Sequence, residues 1–401
     1  MSKQVLIAMI ALVVMATAGC RRLHEAVPVH PVPDQVPEPF QMVYRELDAE
    51  LHRQLPLIAS PWGQKASRTV FGVELLLANS HRGEALLDGS ALEASALVLD
   101  RLKTLGVRSV SLSLHYPVLT RAHPRTPEYR AFYRSLAAEI RSRGLAIVTK
   151  LGSAFREPEF GRVGAGAGDL SRDRFAGGLR EMAEAAIADI QPDYLTLLSE
   201  PDTQTRNTSL TFSPAEFAAT VKSVARGLMP SGVRIGAGAG TWTTLEYFKA
   251  LAELPELDYL DLHIYPIQHG FAAERAVKAA AVARSAGKAV GIGEAWLYKV
   301  WGREFNRLSP VEAVSRDVFS FWQPLDAHFV ELVANLARDI DAEFCSFFWM
   351  KYLYGYLDYT ADNARLPPVE LMKLSDQVAY ANLRQGVLSA TGVKLREAIK
   401  P

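Results

Sequence analysis

Short apolar runs alternate along most of this chain with stretches whose apolar residues recur at three- and four-residue spacing. The runs lie at 70–77, 109–114, 145–150, 193–198, 233–237, 258–264, 289–293 and 344–349. Each has the length and bounding turn residues of a strand buried on both faces. The intervening segments, such as 91–105 and 132–143, have the period of amphipathic helices. Glycines in Leu105-Gly106-Val107, Arg143-Gly144-Leu145 and Ala286-Gly287-Lys288 stand where a helix stops before a strand. Eight such β–α units predict an α/β chain folded as a single-domain (β/α)₈ TIM barrel over 70–401. The competing architecture is an open doubly wound sheet. It lacks support here, because no Gly-rich dinucleotide fingerprint follows the first run. One further helix is expected outside the barrel, from Met42 to about Arg53, within an N-terminal extension over 41–69. A last helix fits within 378–399.

The N-terminus reads differently. Lys3 precedes the apolar stretch Val5–Met15, which ends in Ala16-Thr-Ala-Gly-Cys20. This is the layout of a secretory signal over 1–19. The small residues before Cys20 resemble a bacterial lipobox, which implies lipidation at Cys20. Residues 20–40 carry Pro28, Pro31, Pro33, Pro37 and Pro39, and read as a semi-rigid tether. The expectation is an exported lipoprotein, anchored to a membrane facing the bacterial periplasm or cell surface. Cys345 lies in an apolar run and reads as a small buried hydrophobe.

Lys and Arg number 44 and Asp and Glu also 44, with no basic block, which argues against a nucleic-acid partner. No His, Asp or Glu cluster has metal-site spacing, so neither a metal nor a cofactor is expected. The glycines of 161–168 lack the Lys-Ser/Thr of a phosphate loop and read as a loop over a cleft. Those of 236–240 read as a strand end approached closely by a neighbour.

The chemistry is expected at the carboxyl ends of the strands. Two runs end in a glutamate: Tyr194-Leu-Thr-Leu-Leu-Ser-Glu200-Pro201 and Ala289-Val-Gly-Ile-Gly-Glu294-Ala-Trp296. Burying a carboxylate is costly unless it is paired, so these are candidate functional acids. The bland alternative is an ion pair with Lys150, Arg206 or Lys299. Other strand ends offer Asn79, His115, Ser199, Trp242, His263, Tyr265, Trp296 and Trp349, a rim of hydroxyl-binding groups and aromatic rings suited to sugars. The aromatic segment 295–325 is a candidate substrate wall or an extra packed helix. Arg82, Lys150, Lys299 and Lys351 are candidate basic groups of the rim.

Over about 70–399 the chain resembles the clan A glycoside hydrolases, retaining (β/α)₈ glycosidases. The resemblance rests on Ser199-Glu200-Pro201 at strand four, His263-Ile264-Tyr265 at strand six, Gly293-Glu294 at strand seven and Trp349 at strand eight. It implies that Glu200 is the acid/base, that Glu294 is the nucleophile, and that Tyr265 hydrogen-bonds Glu294. It also implies a β-linked oligo- or polysaccharide as substrate. Ser199 replaces the Asn usual before the acid/base, which leaves open a carbohydrate-binding lipoprotein without turnover. The negative charge of Glu294 is expected to raise the pKa of Glu200.

Overall fold

The computed structural model describes residues 33–58, 68–157, 170–228, 232–304 and 307–400. The signal segment, Cys20 and the glycine-rich stretch 161–168 lie outside the described residues. Among the described residues, no helix is long and apolar enough to cross a membrane.

Eight parallel strands close into a barrel in chain order. They are β1 (Val70–Glu74), β2 (Ser109–Tyr116), β3 (Ala146–Ser153), β4 (Tyr194–Thr196), β5 (Arg234–Gly240), β6 (Tyr259–Ile264), β7 (Ala289–Ala295) and β8 (Phe344–Phe347). Each of the eight expected runs overlaps one of these strands, and four of the strands extend past the run's end. The open-sheet alternative is excluded by the pairing of β1 with β8, in which Val70 lies opposite Phe344.

The barrel interior is filled in layers. Rings of Tyr194 on β4, Tyr259 on β6 and Phe344 on β8 touch one another, with centroids 4.6 to 5.8 Å apart. They come from alternate strands, the usual source of one barrel layer. Above them the filling turns polar. Thr196 donates to Asp261 across the interior at 2.9 Å, and the hydroxyls of Ser111 and Ser346 meet at 2.5 Å. The glycines of β5 make room for this filling. A Cβ on Gly238 would lie 1.8 Å from the carbonyl oxygen of Asp261. Cys345 is fully buried, as its apolar neighbours suggested.

Helix α1 (Glu38–Ile58) packs outside the barrel. It starts before Met42, within the segment expected as tether. Phe40 anchors that start among Phe319, Phe321, Trp322 and Tyr359, with ring centroids 5.3 to 6.2 Å away. The C-terminal segment forms two helices, α2 (Pro368–Gln385) and α3 (Ala390–Ala398), where one was expected. Gly386 ends the first in a left-handed conformation, φ 75°, and the Ser389 side chain caps the second.

Candidate active site

The carboxyl ends of every strand but β5 contribute to one cavity, and both glutamates line it. Glu200 sits where β4 turns into the short helix α4 (Pro201–Thr208), with its own backbone left-handed at φ 51°. A non-glycine residue held there is strained, a feature that clusters at functional positions. Thr203, one turn into that helix, donates to Glu200 Oε2 at 2.7 Å, and His263 Nδ1 lies 2.7 Å from Oε1. Glu294 is gripped from two sides. The Tyr265 hydroxyl donates to Oε2 at 2.6 Å and the Lys150 ammonium to Oε1 at 2.6 Å. One oxygen of Glu200, one of Glu294 and one nitrogen of His263 all lie within 4.8 Å of one another.

Lys150 has a second carboxylate partner. Glu74, fully buried on β1, lies 2.7 Å from its ammonium. Glu74 also accepts from Ser111, Ser113 and the Asn79 amide at 2.5 to 2.8 Å. The bland reading of a lysine pair is therefore half realised. Glu294 does pair with Lys150, but at the cavity wall beside Glu200 rather than in a closed core. Lys299 is instead enclosed between Asp317 and Asp326 at 3.2 and 2.5 Å, and Lys351 pairs with Asp376. Neither lines the cavity; Arg82 does not line it either.

The charge pattern departs from expectation at Glu200. Burial pushes its carboxyl upward, but the hydrogen bond and charge of His263, with the Thr203 hydroxyl and the Arg206 charge, together hold it below the ordinary range. Burial pushes Glu294 up, and there it prevails over the pull of Lys150 and His263. His263 loses by burial but gains more from Glu294, Asp261 and Glu200, so it is held protonated well above its usual range. The raised group was expected to be Glu200. The imidazole between the two carboxylates, contributed by β6, reverses that. These opposite shifts favour a proton on His263 over one on Glu200. Two carboxylates and an imidazole are also a donor set for a divalent cation.

The remaining candidates divide. Asn79, His115 and Ser199 line the cavity along with His263 and the glutamates. Both ends of the Asn79 amide are committed, one to Glu74 and the other to the Ser113 backbone at 2.8 Å. His115 is held by Ser80 and packs near Phe155, and burial keeps it neutral, with a pKa of about 3. Trp242 stands behind Tyr265, ring edge to ring at 6.1 Å, and its indole donates to Asp202 at 2.8 Å. Trp296 is only 1% exposed, stacked on Tyr352, and does not line the cavity. Trp349 also misses the lining. The inward set on β8 is Phe344, Ser346 and, just beyond the strand, Phe348. Alternation therefore hands the wall to Phe348. Within the segment 295–325, Phe319, Phe321 and Trp322 pack against Phe40 of α1, and none of its described residues lines the cavity. Phe305 lies outside the described residues.

The sequence reading passed over Glu74, Phe155, Thr203, Gln204, Asn207 and Phe348. Glu74 carried a usable signal, a carboxylate inside an apolar strand run, by the same rule that marked Glu200. Thr203, Gln204 and Asn207 share one face of α4 with Glu200, which the strand-end rule does not reach.

No family model matches the chain, and no curated protein matches it by sequence. Solved structures do. An exo-β-1,4-mannosidase from Opitutaceae bacterium strain TAV5 superposes with a TM-score of 0.55 at 14% identity, covering 82% of this chain and 59% of the mannosidase. This chain thus matches under two thirds of that enzyme's length. A GH5_18 protein from Bifidobacterium longum subsp. longum gives a TM-score of 0.51 at 14% identity, covering 82% of this chain and 78% of that one. The same Bifidobacterium protein, as a variant, has been solved with Manβ1-4GlcNAc bound, and that structure also superposes at 0.51. The structural neighbours are thus glycoside hydrolases, and the likeness establishes a shared (β/α)₈ barrel.

Proposed function

We propose that this chain is a retaining glycoside hydrolase acting on a β-linked glycan. The observation that carries the reading is the approach of Glu200 and Glu294 in one cavity, with an oxygen of each within 4.8 Å of the other. Retaining enzymes need carboxyl groups about 5–5.5 Å apart, whereas inverting ones leave about 6.5–9.5 Å for a water. The neighbours named for β-1,4-mannosidase activity and for a Manβ1-4GlcNAc complex support a β-linked substrate.

In this mechanism the bond from Glu294 to the anomeric carbon forms as the glycosidic C–O bond breaks. The proton passes from His263 Nδ1 along their 2.7 Å contact to Glu200 and from there to the leaving oxygen, which leaves Glu200 ionised and His263 neutral. Water then attacks the glycosyl-enzyme, Glu200 accepts its proton, and Glu294 is released. The Tyr265 hydroxyl and the Lys150 ammonium hold Glu294 aimed and charged.

The test is kinetic. On dinitrophenyl β-glycosides, which need no acid assistance, Glu200→Ala should keep substantial glycosylation and be accelerated by azide. Glu294→Ala should lose turnover by about 10⁴-fold or more. Proton NMR of the first product should show the β-anomer. Full turnover in Glu294→Gln would refute the mechanism.

A second reading, a carbohydrate-binding protein without turnover, is favoured by Ser199 and by the double grip on Glu294. It predicts saccharide binding with no hydrolysis across the same panel. We also infer export and lipid anchoring through Cys20, supported by the apolar run Val5–Met15 and the small residues before the cysteine. Cys20→Ala should release the protein from the membrane fraction and abolish palmitate labelling.

A further inference from the structure

One wall of the cavity carries polar groups that no other described residue engages. Helix α4 turns a face of Thr203, Gln204 and Asn207 toward the cavity. Thr203 is committed to Glu200. Both ends of the Gln204 amide are taken, one by the Ser153 backbone N–H at 2.9 Å and the other by the Ser199 carbonyl at 2.9 Å. Asn207, three residues further along, differs. It is 3% exposed, and neither its amide nitrogen nor its amide oxygen has a hydrogen-bond partner among the described residues. Ser153 Oγ on β3 and His81 Nδ1 beyond β1 are likewise buried and without a partner among the described residues, and both residues line the same cavity. Four such atoms on three residues that line one cavity are a concentration that folded proteins avoid unless a ligand or water completes it.

We propose that Asn207, Ser153 and His81 form a subsite for the hydroxyls of a second, uncharged sugar ring, next to the ring held between Glu200 and Glu294. This rests on the glycoside reading of the site. An amide with both donor and acceptor free matches a pair of adjacent sugar hydroxyls, each of which also gives and takes one hydrogen bond. Ser153 adds a rotatable hydroxyl. Burial keeps His81 neutral, with a pKa of about 4, so it offers no charge to a carboxylate or phosphate. The His81 and His115 rings meet at 5.4 Å, and Phe155 packs on both, adding an apolar surface beside the polar one. The position is right for a neighbouring ring. Thr203 grips Glu200 and Asn207 lies one turn further on, a rise of about 6 Å along α4.

The experiment is calorimetric titration of the intact protein with matched sugars: mannose and β-1,4-mannobiose, glucose and cellobiose, xylose and xylobiose, galactose and β-1,4-galactobiose. For the disaccharide that binds best, the ratio of its affinity to that of its monosaccharide should fall about tenfold in Asn207→Leu, as expected for two lost neutral hydrogen bonds. Ser153→Ala, which removes one hydroxyl and is the gentler test of folding, should lower the ratio about threefold. An unchanged ratio in both folded variants means that water completes these atoms and overturns the subsite. Absence of any saccharide binding by the unaltered protein overturns it too. The glycosidase reading fails separately. Asn207-dependent binding without hydrolysis sinks catalysis alone, while hydrolysis with an unchanged ratio sinks the subsite alone.

Discussion

Replacing Lys150 by Met should move the pH dependence of turnover, because this lysine is the cation nearest Glu294. Its ammonium lies 2.6 Å from Glu294 and 2.7 Å from Glu74 and is 3% exposed. At an effective dielectric of about 20, unit charges about 4 Å apart attract by about 4 kcal/mol. Desolvating the partners cancels much of that, and an adjacent cation ordinarily lowers a carboxyl by about one to three pH units. Burial already pushes Glu294 upward, and Lys150 is the largest influence opposing it. The sign follows. Without Lys150, Glu294 holds its proton to higher pH, and catalysis needs it ionised. The acid limb of the kcat/KM profile should therefore rise by about one to three pH units, with roughly tenfold lost per unit below it.

The substitution also strands Glu74. Hydrogen bonds and Lys150 hold Glu74 below the ordinary carboxylate range despite burial. Breaking one side of a buried pair costs about 3–5 kcal/mol. The double variant Lys150→Met with Glu74→Gln removes that charge and separates folding from electrostatics. The assay is the pH profile of both variants on an aryl β-glycoside, with ¹³C NMR titration of the glutamate carboxyls as a readout free of activity. An acid limb and a Glu294 titration that stay in place in the folded double variant would show that Lys150 does not set the charge of Glu294.

Three further outcomes are expected. Burial pushes Asp317 up to about 7 despite Lys299 at 3.2 Å, so the fold binds this proton more tightly than the unfolded chain does. Its contribution is complete below about pH 4 and is lost as pH rises toward 7. Asp317→Asn should therefore gain stability over the unaltered protein by on the order of 2 kcal/mol between pH 4.5 and 7.5 in urea unfolding, and a constant difference would refute this. Gly238→Ala should destabilise by more than about 3 kcal/mol or give insoluble protein, because the contact it creates is with the backbone oxygen of Asp261 at 1.8 Å. An unchanged melting temperature would contradict it. Phe40→Ala should cost on the order of 2 kcal/mol at the ring cluster, less than a fully buried Phe because Phe40 is half-buried, and raise amide exchange across 38–58 ahead of the strands. Uniform exchange would mean that α1 and the barrel open together.

How far the barrel and its site were legible depends on the range of the interactions concerned. The strands were legible because burial on both faces leaves apolar runs, and a run is a local signal. Their hydrogen-bonded extents were less so. β4 is regular only over Tyr194–Thr196; Leu197 and Leu198 still bond Gly236 and Gly238 of β5, and beyond them the chain enters the left-handed turn at Glu200. Tryptophans misled where alternation decides direction. Trp349 is one residue past the inward-facing Phe348, and a one-residue step reverses the face.

The charge state of the site lay further out of reach. Glu74 could have been suspected from its apolar neighbours, but its partner could not be named. Glu74 pairs in register with Ser111, and Ser113 pairs with Lys150, so β1 meets β3 through the side chains of β2. Glu294 then reaches the same lysine from β7, across the closed interior. His263 likewise separates two carboxylates that the sequence reading had set directly against each other. A pair of strand-end glutamates therefore signals a site, while which of them holds the proton is decided by cations that only barrel closure brings between them.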